Sequence, residues 1–271
     1  MEALFALLFG LLIGSFLNVC IYRWPRDLSV VRPRSHCPAC ETQIAAWDNI
    51  PLVSYIVLAG KCRKCGARIS PRYPFVEFAT GALFFYFVAR LGPTLLALKL
   101  CCLSAMLLAL IFTDLEERIL PDEFTLGGTV LGLIFAWFVP FKPEAMTAPA
   151  LLWLFGFDLT GPWASLAESA AGALIPALFL WGGGWLYYKL RKREGLGFGD
   201  VKLVAMVGSF LGLQGALQML ILGSVAGSIL GMAYIKLTKQ DADTYELPFG
   251  TFLGAAAMLL AILAATPGSV R

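Results

Sequence analysis

Four cysteines and two aspartates carry most of the chemistry available to this sequence of 271 residues. Cys37-Pro-Ala-Cys40 and Cys62-Arg-Lys-Cys65 form two C-x2-C knuckles separated by 21 residues. Thiolates at that spacing close a tetrahedral zinc site, and two knuckles supply all four ligands. No position stays open, so the zinc would be structural rather than catalytic. The separation lies just beyond the commonest range for zinc ribbons. A redox role is the weaker reading, because no thioredoxin-like βαβ pattern surrounds either pair. Cys20, Cys101 and Cys102 sit in apolar runs and read as small buried residues. His36, the one histidine, reads as an ordinary loop residue, with a spare metal ligand as the alternative.

A single histidine among the zinc cysteines nearly excludes a Ser-His-Asp triad or a His-based metalloprotease centre. Hydrolysis would have to rest on carboxylates. Asp114 ends the apolar run Leu108-Ala-Leu-Ile-Phe-Thr113, and Asp200 ends Gly195-Leu-Gly-Phe-Gly-Asp200. Acidic groups at membrane depth are costly, hence functional candidates by default. Two carboxyl groups brought together share a proton. One then takes a proton from water while the other donates to a carbonyl oxygen, which is aspartyl protease chemistry. Blander readings exist for each. Asp114 could pair with Arg118 four residues on, and Gly197-x-Gly-Asp200 is a weak pattern alone. Asp122, Glu116, Glu117 and Asp158 read as solvated loop charges. Glu77 and Glu168 lie near span ends, where snorkelling explains them.

The elements that must position these residues are membrane helices. The chain is 59% hydrophobic and 14% charged, against roughly half and a quarter in soluble domains. Apolar runs of about 20 residues suggest spans at Ala3–Ile21, Phe75–Leu91, Thr94–Thr113, Phe124–Val139, Ala170–Tyr188, Leu217–Ile235 and Pro248–Ala265. Val201–Leu213 makes an eighth only if Gly195–Asp200 also lies at membrane depth. The first run lacks a basic start and a small-residue exit, so it reads as retained rather than as a signal peptide. With the N-terminus outside, only Arg90, Lys99, Lys142 and Arg271 of the 21 basic residues fall on the outer side. That bias puts both termini outside and both aspartates at the cytoplasmic ends of their spans.

The expected fold class is therefore an all-α polytopic membrane protein of about eight transmembrane helices. Its expected divisions are a first helix over residues 1–22, a cytoplasmic four-cysteine loop over 23–74 and a helical bundle over 75–271. Residues 140–166, with Trp153 and Trp163 suited to the interface, read as a surface or re-entrant segment. No internal repeat of fixed period is visible.

Several stretches resemble the type IV prepilin peptidases. They are Gly14-Ser-Phe-Leu-Asn18, Tyr22-Arg-Trp-Pro25, Arg34-Ser-His-Cys-Pro-Ala-Cys40, Asp48-Asn-Ile-Pro-Leu-Val-Ser-Tyr55, Gly60-Lys-Cys62 and Ile69-Ser-Pro-Arg-Tyr73 through Glu77. Asp114-Leu-Glu-Glu-Arg-Ile-Leu-Pro-Asp122, Gly197-Phe-Gly-Asp200-Val-Lys202 and Leu247-Pro-Phe-Gly250 follow in family order. The resemblance implies cleavage of the basic leader of prepilins or pseudopilins after a glycine at the cytoplasmic membrane face. It also implies N-methylation of the new terminus from S-adenosylmethionine, since the four-cysteine insert goes with the bifunctional type. Asp114 and Asp200 would be the catalytic pair. Gly60 and Glu77, in matching stretches beside the zinc loop, are the candidates for the methyl donor. The expected setting is the bacterial inner membrane, with lipid around the helices and no nucleic-acid partner. A methyltransferase with structural aspartates and a zinc-ribbon scaffold of a secretion system are the competing readings.

Overall fold

The computed structural model describes residues 1–154, 156, 158–193, 196–238 and 247–266. Gly195 and Arg271, named in the reading above, lie outside them. Among the described residues the regular elements are helices, and extended pairing is limited to two isolated bridges. The expected all-α membrane class is what the structure has. Five helices are long and apolar enough to cross a membrane, and a sixth apolar helix is shorter. The chain divides into two compact units, Met1–Ala109 and Leu110–Arg271.

The first unit contains α1 (Glu2–Arg23), α2 (Val53–Val57), α3 (Arg72–Leu91) and most of α4 (Leu95–Glu117), which runs on into the second unit. Lipid tails give apolar helices no reason to associate, so close backbone approach at small residues must do so. Gly10 and Gly14, one turn apart on α1, provide it against α3. A Cβ on Gly14 would lie 2.7 Å from Glu77 Cα, and one on Gly10 would lie 2.8 Å from Gly81 Cα. One turn further, the Asn18 amide donates to the Tyr73 carbonyl at 2.9 Å. That bond ties the start of α3 to α1.

The second unit contains α5 (Asp122–Phe138), α6 (Ala148–Leu154), α7 (Gly161–Arg191), α8 (Phe198–Thr238) and α9 (Phe249–Ala264). The two late spans expected at Val201–Leu213 and Leu217–Ile235 are two helices joined across a kink within α8. Its break falls at Gly212 (φ 75°, ψ −178°), inside the first expected span. A φ of that sign strains any residue with a Cβ, so the break sits at a glycine. α7 starts nine residues before the expected Ala170. The stretch expected to be a surface segment therefore splits into a short 3-10 turn, α6 and the beginning of α7.

Snorkelling is also the wrong account of Glu168, which is 0% exposed. Its Oε2 accepts the Thr147 and Ala148 N–H groups at 2.8 and 2.7 Å, and its Oε1 accepts the Leu213 N–H at 2.8 Å. The first two are free donors at the start of α6, and the third is released by the break at Gly212. The carboxylate satisfies groups that lipid cannot.

α7 and α8 cross at Gly172 and Gly208, where a Cβ on Gly172 would lie 2.5 Å from the Gly208 carbonyl oxygen. A Cβ on Gly208 would in turn collide with the Gly172 carbonyl. Both atoms in the clash belong to backbone, so relief requires the helices to separate. Gly208→Leu should lower the detergent melting temperature by the equivalent of about 3 kcal/mol, at the upper end for overpacking. A melting curve like that of the unsubstituted chain would show that the helices have room there.

Candidate active site and metal centre

Asp114 lies in the last turn of α4, 6% exposed. Its Oδ2 accepts the Thr251 N–H at 2.6 Å and the Thr251 hydroxyl at 2.8 Å. Thr251 stands in the first turn of α9, where backbone N–H groups have no partner within their own helix. The positive end of the α9 dipole thus faces the carboxylate. The close fit depends on Gly250, whose hypothetical Cβ would lie 3.1 Å from Asp114 Cγ. Arg118, weighed above as a partner for Asp114, is within electrostatic range of it. The hydrogen bonds come from Thr251.

Asp200 lies in the first turn of α8, 9% exposed. Among the described residues its carboxyl group has no hydrogen-bond donor. Gly197 leaves space beside it: a Cβ there would stand 3.3 Å from Asp200 Oδ2. Leu120, 8% exposed, connects the two halves of the site. A Cβ on Gly199 would lie 3.2 Å from Leu120 Cβ, and one on Gly250 would lie 3.0 Å from its Cδ1. The residue before Asp200 and the residue before Thr251 thus rest on one side chain. The two carboxyl groups fall within electrostatic range of each other. Beside them, Lys202 forms an ion pair with Asp122 at the start of α5. Asp122 is exposed, as a loop charge should be, but it has a partner.

Such a pair, largely buried and held from three helices, suits an activated water between the carboxyl groups. One oxygen is fixed as an acceptor by Thr251, and the other carboxyl is left without donors. Thr251 and Leu120 were not singled out from the sequence. A hydroxyl directly after the Leu247-Pro-Phe-Gly250 stretch was the available signal for the first. Leu120 offered none, since one leucine among many carries no mark.

The four cysteines of the loop converge in the first unit. All four Sγ atoms lie within 4.8 Å of one another, and those of Cys37 and Cys65 are 3.9 Å apart. Four sulfurs at Zn–S distances of ~2.3 Å on a tetrahedron stand about 3.8 Å apart, so the donor set fits such a metal. Both knuckles use the same turn. The Cys37 N–H bonds to the Thr42 carbonyl at 2.9 Å, and the Cys62 N–H to the Ala67 carbonyl at 2.8 Å. The bridges His36 to Gln43 and Lys61 to Arg68 occupy equivalent places. Glu41 (φ 55°) and Gly66 (φ 71°) both take the left-handed turn. This is a short structural repeat, although the sequence shows little beyond the cysteines, Ile44 and Ile69.

Turn donors favour the thiolates. The Thr42 hydroxyl and N–H pull the Cys40 thiol down to about 6. The Cys65 and Lys64 N–H groups pull Cys62 down as well. At Cys65 the Ala67 N–H acts the same way, but the neighbouring Cys40 thiol and burial outweigh it and push the group up to about 11. Four sulfurs without a cation cannot all ionise, and a divalent ion removes that conflict. His36 directs its Nδ1 to the Arg34 carbonyl at 3.3 Å and is not part of the sulfur cluster. A bidentate Asp48–Arg63 pair, with bonds of 2.7 and 2.8 Å, fastens the second knuckle to the segment Ala46–Asn49.

Gly60 and Glu77 both have local structural work. Gly60 (φ +66°) closes the turn after α2, with space for a Cβ limited by the Tyr55 ring at 3.1 Å. Glu77 on α3, 8% exposed, accepts the Leu52 N–H at 2.8 Å. Leu52 itself has a φ of 60°. Asn18 Oδ1, on the same α1–α3 seam, is buried without a donor among the described residues.

Residues 8–91 match the Bacterial Peptidase A24 N-terminal domain, and residues 101–232 match the Type IV leader peptidase family. Among similar curated proteins is the prepilin leader peptidase/N-methyltransferase of Stutzerimonas stutzeri, 36% identical over 93% of this chain and 87% of that protein. The protein of the same name from Burkholderia pseudomallei (strain 1026b) is 35% identical over 94% and 83%. That from Pseudomonas aeruginosa is 35% identical over 92% and 86%. No solved structure matches.

Proposed function

The chain belongs to the type IV leader peptidase family, and from that premise we propose that it is a membrane aspartyl endopeptidase that removes the basic leader of prepilins or pseudopilins. Peptidase and N-methyltransferase activities both come with the family. The observation that carries the mechanism is the pair of buried carboxyl groups, Asp114 and Asp200, within electrostatic range on separate helices. A pair of adjacent carboxyl groups is stable with one proton between them. The ionised member draws a proton from water, and the other protonates the carbonyl oxygen of the scissile bond. The cut falls after a glycine at the cytoplasmic face of the inner membrane. The concentration of Lys and Arg in the loop after α1 supports that orientation.

Methylation of the new N-terminus follows, with S-adenosylmethionine supplying an electrophilic methyl group on a cationic sulfonium. Gly60 and Glu77 are the proposed donor-binding residues. The chemistry of the α1–α3 seam supports them: Glu77 offers negative charge to a cation, and Asn18 Oδ1 is an acceptor awaiting a donor. The four thiols are proposed to hold one structural zinc. The division into a first helix (1–22), a metal-bound loop (23–74) and a proteolytic bundle (75–271), with eight crossings, belongs to the same reading.

Purified chain in detergent, given a prepilin and S-adenosylmethionine, should release the leader and leave a product heavier by one methyl group. Intact prepilin after incubation would remove the proposal. Metal analysis should find one zinc per chain. Cys62→Ser should lose that zinc, loosen the loop to proteolysis and reduce methylation more than cleavage. Wild-type protein with a folded loop and no metal would refute the zinc site.

A further inference from the structure

A cleft of about 410 Å³ opens in the first unit between α1 and the loop that follows it. Its walls combine two chemistries. Leu12 and Phe16 of α1 and Val31 of the loop are apolar and exposed, at 58%, 48% and 77%. Arg23, Arg34 and Asn49 also line it. Arg23 is 6% exposed, and its guanidinium donates to the Ser29 and Pro33 carbonyls at 2.7 and 2.8 Å. Those partners are neutral. Among the described residues no carboxylate pairs with Arg23, and the Arg34 side chain has no partner. No acidic residue lines the cleft. A buried cation bonded only to carbonyls keeps its charge uncompensated, which is costly.

We infer that this cleft docks an anionic phospholipid, with its phosphate at Arg23 and Arg34 and an acyl chain along Leu12 and Phe16. The inference rests on the reading that α1 crosses the bilayer with its Arg23 end at headgroup level. From Arg23 to Leu12 the helix descends about 16 Å, the path of a chain leaving its headgroup for the hydrocarbon. A lipid phosphate supplies the missing negative charge, and basic pockets beside membrane helices are suited to such headgroups. The methyl donor fits poorly here, because its sulfonium is cationic and the cleft presents two guanidinium groups.

The test is native mass spectrometry of the full chain in neutral detergent with phosphatidylglycerol, phosphatidylcholine or S-adenosylmethionine. One phosphatidylglycerol per chain should be retained about tenfold better than phosphatidylcholine, the scale of one or two arginine–headgroup contacts. Arg34→Glu should remove that preference, and Leu12→Trp should weaken retention of both lipids by filling the chain path. Arg34→Lys should keep the preference, so a loss in Arg34→Glu with an unchanged melting temperature is a loss of charge. Equal retention of the two lipids, or full retention by Arg34→Glu, would overturn the inference. Displacement of the lipid by S-adenosylmethionine would assign the cleft to the donor instead. None of these readings requires proteolysis, so failure of the peptidase proposal shows separately as an uncut prepilin.

Discussion

Leader removal should fall by ~10⁴-fold in Asp200→Asn, the scale of losing a central group from other proteolytic sites. Asn is nearly the same shape and keeps Gly197, Gly199 and Leu120 packed as they are. It can neither share a proton with its neighbour nor pass one to the carbonyl oxygen, so the remaining carboxylate works without its acid partner. Asp114→Asn should be as severe for a second reason. The Thr251 N–H and hydroxyl both approach Oδ2, and an amide nitrogen turned that way would face a donor. If the amide turns its oxygen there instead, the nitrogen points into the site. Thr251→Val removes the hydroxyl but keeps the N–H, and a loss of about tenfold is expected for one hydrogen bond to a charged group. Methyl transfer to a pre-cleaved pilin should persist in both Asn variants, since that step needs a free amine and a donor rather than an activated water. The measurement pairs a gel assay for leader loss with methyl incorporation from labelled S-adenosylmethionine. Cleavage surviving in both Asn variants would end the aspartyl mechanism. Loss of both activities together would mean that the two reactions share one site or that the bundle needs both carboxyl groups to fold.

The two aspartates and four cysteines were legible because each breaks its background. Asp114 and Asp200 interrupt apolar runs, and the knuckles recur at metal-binding spacing. Their partners were not legible, for identifiable reasons. Thr251 acts through its position in the first turn of α9, which depends on where that helix starts. Leu120 acts by touching two glycines far apart in sequence. Gly212 is one of 27 glycines, and only the backbone reveals that it takes a positive φ. Hydropathy marks the two late spans but puts their junction after Leu213, whereas the break falls at that one residue. Gly60 and Glu77 stand out in the sequence only through the matching stretches, and the structure gives each a local bond of its own. That leaves their role with the methyl donor as a proposal, to be separated from loop folding by metal content.

Glu168 shows the same limit most sharply, and its replacement should have the largest effect on stability. Its position near the end of an apolar run suggested a carboxylate reaching for water. In the structure it is sealed in, and it accepts three backbone N–H groups from two places, the start of α6 and the break in α8. Removing the acceptor strands all three where lipid and protein offer no replacement, at about 1–3 kcal/mol each. Glu168→Ala should therefore destabilise the chain by at least ~3 kcal/mol, where a snorkelling side chain would cost about 0.5 kcal/mol or less. Glu168→Gln keeps one acceptor oxygen and turns an NH2 toward either the α6 donors or Leu213, so it should fall between. Thermal unfolding in detergent orders the three proteins, and limited proteolysis shows whether residues 140–154 release first. Cleavage should decline with the same order even at temperatures where each variant remains folded. The reason is geometric: the half of α8 that bears Asp200 ends at Gly212, and Glu168 is what holds that break in one conformation. Glu168→Ala melting with the unsubstituted chain would mean that the three N–H groups find other partners, and the clamp would be discarded.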